Sequence, residues 1–392
     1  METLFYIGVI FVLGALTERL SPKMHIPKVV GYLLLGLIIG PEILSIVSDK
    51  FVKDSHVIMD LALSIIAVMA GSTLKLSKLR GHTREIVYIT LAQSLGTFIV
   101  VTCGLILMGN YLNEETVLIA LILGAIATAT APATPLAIVH ELRLKNNFAS
   151  TLLAVVAADD AVALIVFSIA LTAGITIIGH ETYNIYAVVQ ALWLIFFSLL
   201  LGTAAAFLNR WFEKLFAHHK GMETISTLGL IFIVYALSGY FKVEPLLSAM
   251  VMGIVITNIS KDFDIVEEEI DDHLAQIIFM LFFIISAMHL KFDALFSLPL
   301  YITAYVLLRF LGKITGSYIG AVLSKSNRVT KKYMGLALIP QAGVAIGLAL
   351  SLQNQNGFES IAPTILNIVI AATLVHEIIG PFMSEFALKK SM

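Results

Sequence analysis

Apolar runs of roughly 18 residues or more recur along the whole of this 392-residue chain. Each is long enough to cross a hydrocarbon core of about 30 Å as a helix, and in lipid only helices and closed barrels satisfy their own backbone polar groups. That repetition sets the class before any motif is read: an all-α membrane protein that crosses the bilayer many times. Composition agrees, with 58% hydrophobic residues, a mean hydropathy of +0.93 and 13% charged residues, about half the charge of a soluble domain. A formal net charge of −2, without a basic tract, gives no sign of a nucleic-acid partner. Cys103 is the single cysteine and lies inside an apolar run, so no disulfide framework is expected. The first run has neither a basic n-region nor a small-residue cleavage site and reads as a retained anchor. No hydrophilic domain is expected after the last span. No nucleotide loop, zinc spacing or Ser/His/Asp arrangement appears, so neither an enzyme nor a cofactor is expected.

Thirteen candidate spans cover residues 3–20, 26–48, 56–73, 84–109, 116–140, 146–175, 184–212, 222–241, 243–258, 271–289, 296–324, 331–351 and 358–388. Lys and Arg sort sharply between alternate loops. The loops after odd-numbered spans hold most of them, among them Arg80, Arg143, Lys145, Lys214, Lys325, Lys331 and Lys389. The loops after even-numbered spans hold only Lys50, Lys53, Lys242 and Lys291. The positive-inside rule then puts the N-terminus outside and the C-terminus in the cytoplasm, the parity that thirteen spans require.

Two spans are interrupted at matching places. ATATAPATP, from Ala127 to Pro135, breaks the fifth, and LIPQAGVAIG, from Leu338 to Gly347, breaks the twelfth. Both are second from last in a block of six, and the 184–212 span separates the blocks. Six helices plus one linker turn the second block upside down relative to the first. Broken helices at matching places in two halves point to a transporter's binding site. The simpler alternative is prolines that merely kink ordinary spans, which membrane proteins tolerate.

VVAADDAVAL places Asp159 and Asp160 side by side deep in an apolar span. At about 1.5 Å per residue they lie roughly 20 Å from the cytoplasmic end, and Lys313 about 16 Å from its own. The breaks at Thr130–Pro132 and Pro340–Gln341 fall near the same level. A charge there costs at least about 2.5–3.5 kcal/mol, so it should be paired, wetted or functional. Adjacent helix residues point about 100° apart, so both carboxylates cannot face one partner. The expected division pairs Asp159 with Lys313 and turns Asp160 toward a water-filled crevice. The alternative is two buried salt bridges, with Lys313 and Arg309 neutralising both acids. An open carboxylate can hold a proton or a small cation, and hard cations want oxygen ligands. Carbonyls freed near Pro132, Pro135 and Pro340, with Thr128, Thr130, Thr134 and Gln341, are the candidate ligands. Competition between a proton and a cation for one carboxylate makes an exchanger.

These residues match a known family, nearly end to end. The chain resembles the monovalent cation:proton antiporters, close to the bacterial sodium/proton exchangers of thirteen-helix type. IPKVVGYLLLGLIIGP (26–41) is similar to the family's early signature. GAIATATAPATPLAIVHEL (124–142) resembles its unwound crossing helix, AADDAVAL its paired-aspartate site, and GKITGSYIGA (312–321) the helix whose lysine bonds the first aspartate. The resemblance implies two inverted six-helix repeats with crossed discontinuous helices. It implies a dimerisation domain (1–83 and 216–292), a core ion-transport domain (84–180 and 293–392), a linker helix (181–215), a homodimer and an elevator-like slide of the core. It gives Asp160 the role of binding Na⁺ or Li⁺ in exchange for H⁺, and Asp159 that of lysine partner. Lys313 becomes the salt-bridge lysine and a candidate second proton carrier, and Thr130 a contact to the ion. The implied activity is electrogenic export of Na⁺ or Li⁺ against H⁺ in a bacterial or archaeal plasma membrane. Relatives often read P-R-G-E-V-G-L at the second crossing, where this chain has Pro340-Gln341-Ala342-Gly343-Val344, without the Arg and Glu. Two rival classes are a potassium efflux system or K⁺/H⁺ antiporter, and a sodium-coupled organic-anion symporter.

Lesser features have plainer readings. Gly312, Gly316 and Gly320 form a ridge for close helix packing, or for sliding of a moving core. Gly36-x-x-x-Gly40 serves packing or dimer contact. His376 and Glu377 occupy the repeat counterpart of the aspartate span, in a structural role or a proton relay. His218 and His219 read as solvated, and EEEIDD (267–272) as a wet loop.

Overall fold

The computed structural model describes residues 2–24, 26–72, 74–75, 81–109, 114–179, 186–216, 221–260, 263–289, 298–341, 343–352, 358 and 360–392. Among them every regular element is helical. Seven helices are long and apolar enough to cross a bilayer, and five further apolar helices are shorter. The chain divides into two compact units, residues 1–81 with 193–289, and residues 82–192 with 290–392.

The first unit holds α1 (Glu2–Leu20), α2 (Lys28–Ile39), α3 (Asp49–Asp54) and α4 (His56–Ser72). It also holds most of α9 (Tyr186–Phe216), then α10 (Met222–Tyr240), α11 (Pro245–Ile259), α12 (Phe263–His273) and α13 (Ala275–Met288). The second expected span, 26–48, stops at Ile39. Gly40 turns to an extended conformation with ψ 177°, and Pro41 follows. Gly36 lies on the backbone of Ile284, so its small size serves the α2–α13 packing inside this unit. The acidic run EEEIDD is not a loop. It lies in α12, where Phe263, Val266 and Ile270 recur at helical spacing and are buried. Three apolar residues on one face outweigh the charges on the other. Ser72 Oγ donates to Glu267 at 2.9 Å, and Thr224 donates to Glu269.

The second unit holds α5 (Thr83–Met108), α6 (Glu114–Ala127), α7 (Ala133–Glu141) and α8 (Asn147–Gly179). After the interval come α14 (Pro299–Leu323), α15 (Arg328–Ala337), α16 (Gly343–Ser351) and α17 (Ala362–Lys389). Helices α6 and α7 are the halves of one broken span, and α15 and α16 the halves of the other. Pro132 caps α7 without a backbone N–H, and Pro340 removes another donor from the second break. The breaks meet directly, since Ala131 N donates to Pro340 O at 3.0 Å.

Helix α5 is polar on the inside and apolar on the outside. Val87, Leu91, Leu95 and Ile99 are exposed at four-residue spacing, whereas Thr90, Gln93, Ser94 and Thr97 are buried. That inversion suits a helix facing hydrocarbon on one side and protein on the other. The buried stripe faces the glycine ridge of α14. A Cβ on Gly316 would come within 2.7 Å of Ala92 O and Gln93 Cα, and one on Gly312 within 2.6 Å of Thr97 Cα. The ridge therefore serves close packing of α5 on α14 inside the second unit.

Candidate functional site

The α5–α14 seam brings three polar elements together deep in the second unit. Lys313, on α14, is fully buried. Its three N–H groups are shared among four acceptors, Gln93 Oε1 at 2.6 Å, Thr128 O at 2.5 Å, Thr130 Oγ1 at 2.7 Å and Asp159 Oδ2 at 3.1 Å. Asp159, on α8, is also fully buried and forms the ion pair with Lys313. Its Oδ1 accepts from Ser94 Oγ at 2.6 Å and from Gln93 Nε2. Its Oδ2 accepts from Thr130 Oγ1 at 2.5 Å as well as from the lysine. A carboxylate offers about four lone-pair sites. Four donors occupy them, so Asp159 has no free oxygen valence for a metal ion in this conformation.

Gln93 is used just as fully. Its amide nitrogen donates to Ser94 Oγ at 2.8 Å and to Asp159, and its oxygen accepts from Lys313. The orientation is fixed by chemistry. The opposite one would set the amide NH₂ against an ammonium and the amide oxygen against a carboxylate.

Arg309, one turn from Lys313 and fully buried, does something the sequence did not indicate. Its hydrogen-bonding geometry is directed at backbone rather than at a carboxylate. Its guanidinium donates to three backbone carbonyls: Ala127 O at 3.0 Å, Ala129 O at 2.8 Å and Ile339 O at 2.5 Å. These carbonyls belong to the C-terminal ends of α6 and α15, where the last carbonyls lack intrahelical partners and the helix dipole is negative. One cation thus satisfies both half-helix ends.

The expected supply of free carbonyls for a cation is correspondingly short. Thr128 O is taken by Lys313, Pro340 O by Ala131 N, and Ile126 O by Gln341 Nε2 at 3.2 Å. With Arg309 on three more, six carbonyls of the two breaks carry internal donors. Thr130, expected to touch the ion, bridges Lys313 and Asp159 in this conformation. Gln341 also donates to Tyr305 Oη at 3.1 Å, so it occupies the crossing without replacing the missing charges. Thr128 Oγ1 caps its own helix end on Ala125 O at 2.7 Å. Pro132, Thr134 and Pro135 are buried at the start of α7, and Pro340 in the second break, while Ala342 lies outside the described residues.

Asp160 follows Asp159 on α8 and is 2% exposed. The water-facing aspect expected from sequence is not open in this conformation. His376 is buried against the rings of Phe310 and Tyr305, with centroids 5.5 Å and 6.4 Å away, and Glu377 beside it is also buried. His218 and His219 lie outside the described residues.

Gln93 and Ser94 are the residues that sequence reasoning missed. The available signal was Thr90, Gln93, Ser94 and Thr97 at helical spacing within an apolar span, since polar groups in such a span face protein.

Known proteins resemble this chain along nearly its whole length. The family model described as "Sodium/hydrogen exchanger, transmembrane" matches residues 7–390. A Na⁺/H⁺ antiporter of Enterococcus hirae is 24% identical over 400 residues, covering 100% of this chain and 99% of that protein. The Na⁺/H⁺-K⁺ antiporter GerN of Bacillus cereus is 23% identical, covering 95% and 94%. The solved structure of the sodium proton antiporter MjNhaP1 from Methanocaldococcus jannaschii at pH 8 superposes with a TM-score of 0.69 at 23% identity, covering 100% of this chain and 97% of that one.

Proposed function

The chain belongs to the sodium/hydrogen exchanger family, and we propose that it exports cytoplasmic Na⁺ or Li⁺ in exchange for external H⁺, with Asp160 as the carboxylate for which the two compete. The observation that carries this reading is the unequal treatment of two neighbouring acids. Asp159 is saturated by four donors, one of them the lysine. Asp160, buried one residue away on the same span, has the transport role that the family resemblance gives it. The second unit carries the ion in an elevator-type alternation, working as a homodimer with the N-terminus outside and the C-terminus in the cytoplasm.

In the proposed cycle, protons from outside load Asp160 and Lys313, which releases and re-forms its pair with Asp159. The loaded unit turns inward and releases them, and a cation then binds ionised Asp160 and is carried out. Two protons inward per sodium outward move one net charge, and 100 mV would contribute about 2.3 kcal/mol to that step. A second reading, with K⁺ as the cation, is favoured by the relative named a Na⁺/H⁺-K⁺ antiporter.

Everted vesicles test both readings. Na⁺, Li⁺ or K⁺ is added to an acid-loaded lumen and proton efflux is followed. Exchange is expected with Na⁺ and Li⁺ and should vanish in Asp160→Asn. Normal cation-dependent proton flux in that variant would sink the assignment of Asp160. Cation flux without proton coupling would indicate a channel, and a requirement for an organic anion would indicate a symporter.

A further inference from the structure

We propose that Gln93 and Asp159 form one positioning unit for Lys313, in which the amide is as necessary as the acid and Asp159 is a counter-charge rather than a carrier of the transported ions. The inference rests on the reading of Asp160 as the transported-ion carboxylate.

Three observations support it. Gln93 Oε1 lies 2.6 Å from Lys313 Nζ, nearer than the Asp159 oxygen at 3.1 Å. A carboxylate placed at residue 93 would therefore reach the same ammonium. Gln93 Nε2 donates to Asp159 Oδ1, so the two side chains face each other across one amide–acid hydrogen bond. The bond has a mirror alternative, with an amide at 159 donating to an acid at 93. Finally, Ser94 Oγ and Thr130 Oγ1 are hydroxyls that serve either arrangement, since each can donate or accept. The glycine ridge fixes the register. Gly316 rests on Gln93 Cα, so residue 93 cannot retreat from the lysine without parting α5 from α14.

The requirement is thus one negative charge and one amide within reach of Lys313, in either order. Gln93→Glu alone sets two carboxylates face to face. Asp159→Asn alone leaves the buried ammonium without a counter-charge. The double variant Gln93→Glu with Asp159→Asn restores one of each across the same bond. Each single change should lower the rate of Na⁺-driven proton exchange by about tenfold or more, the scale of one charge-assisted hydrogen bond. The exchanged pair should recover most of that loss, with a KM for Na⁺ close to that of the unaltered protein, because Asp160 is untouched.

The experiment measures Na⁺-dependent proton flux in everted vesicles for the two single variants, the double variant, and Asp160→Asn on both backgrounds. Thermal unfolding of the purified proteins in detergent is measured alongside. Recovery of rate and melting temperature in the double variant supports the proposal. If a single variant is too unstable to isolate, a double variant that folds and exchanges supports it equally. A double variant no better than the worse single one in both measurements overturns it, because position 159 then needs its own carboxylate. Recovered melting temperature without recovered exchange also overturns it, by making Asp159 a carrier. Asp160→Asn separates this failure from that of the functional reading. If it leaves exchange intact, the role of Asp160 falls, and this proposal with it. If it abolishes exchange while the double variant fails, only the Gln93–Asp159 unit is refuted.

Discussion

Removing the guanidinium that joins both helix breaks is the sharpest structural test, and Arg309→Ala does it. Three hydrogen bonds to backbone carbonyls are lost, at 3.0, 2.8 and 2.5 Å, from a fully buried side chain. Bonds to charged groups in soluble proteins contribute about 1.5–3 kcal/mol each, which would give the upper limit. Polar contacts within membranes average nearer 0.6 kcal/mol, which gives roughly 2 kcal/mol for three. The lost bonds are partly offset, because a guanidinium no longer has to be buried. The orphaned helix-end carbonyls act in the opposite direction, at about 1–3 kcal/mol for each one left dry. The expected net loss is about 2–5 kcal/mol, a fall in melting temperature of about 2–6 °C for a chain of this length. Thermal unfolding in detergent reads it. Millimolar methylguanidinium should restore part of the loss in Arg309→Ala by re-entering the space, and urea at equal concentration should not. A variant melting within about 1 °C of the parent would refute the reasoning. So would rescue by urea to the same extent, since the charge would then be irrelevant.

Other substitutions probe separate parts of the architecture. Lys313→Gln strands the Asp159 charge among its remaining donors and should cost about 3–5 kcal/mol of stability, with exchange losing its dependence on membrane potential; both are measurable on one purified preparation before and after reconstitution. Gly316→Leu forces a side chain onto Ala92 and Gln93 and should destabilise by more than about 1–3 kcal/mol, whereas Gly239→Ala, where a Cβ meets nothing within 4 Å, should be mild. Glu244, in the turn between α10 and α11, has its carboxyl held above the ordinary value of 4.5 by burial, partly countered by the backbone N–H of Leu246. The folded protein keeps that proton longer than the unfolded chain, so stability should fall as pH rises from that value through the raised one. Glu244→Gln should flatten this slope and raise the melting temperature at neutral pH; an unchanged pH profile would argue against it.

The fold was legible in the sequence because its strongest signals are local. Apolar runs marked the spans, and Pro132, Pro135 and Pro340 marked the breaks. The Asp159–Lys313 partnership could be read from matched depth, since a charge that deep needs a partner. Direction and reach could not be read. Arg309 advertises a positive charge but not that it points at carbonyls rather than carboxylates, and the helix-end carbonyls that attract it exist only once α6 and α15 stop. Gln93 and Ser94 were harder still. They are neutral, sit on a span with no break, and matter only because glycines more than two hundred residues later let α14 approach them. The α12 helix was missed for the opposite reason, because six consecutive residues rich in charge masked the apolar face formed by Phe263, Val266 and Ile270.

The link from Ala131 to Pro340, reinforced by Arg309, makes the crossing a keystone shared by two halves of the chain far apart in sequence. Neither half can lengthen or shorten its gap alone. One residue inserted between Thr128 and Ala131 would rotate α7 by about a quarter turn relative to α6 and pull a carbonyl away from the shared cation. Tolerated changes of length at one interruption should therefore come with a compensating change at the other, a pattern to look for when variants of this protein are selected for altered ion preference.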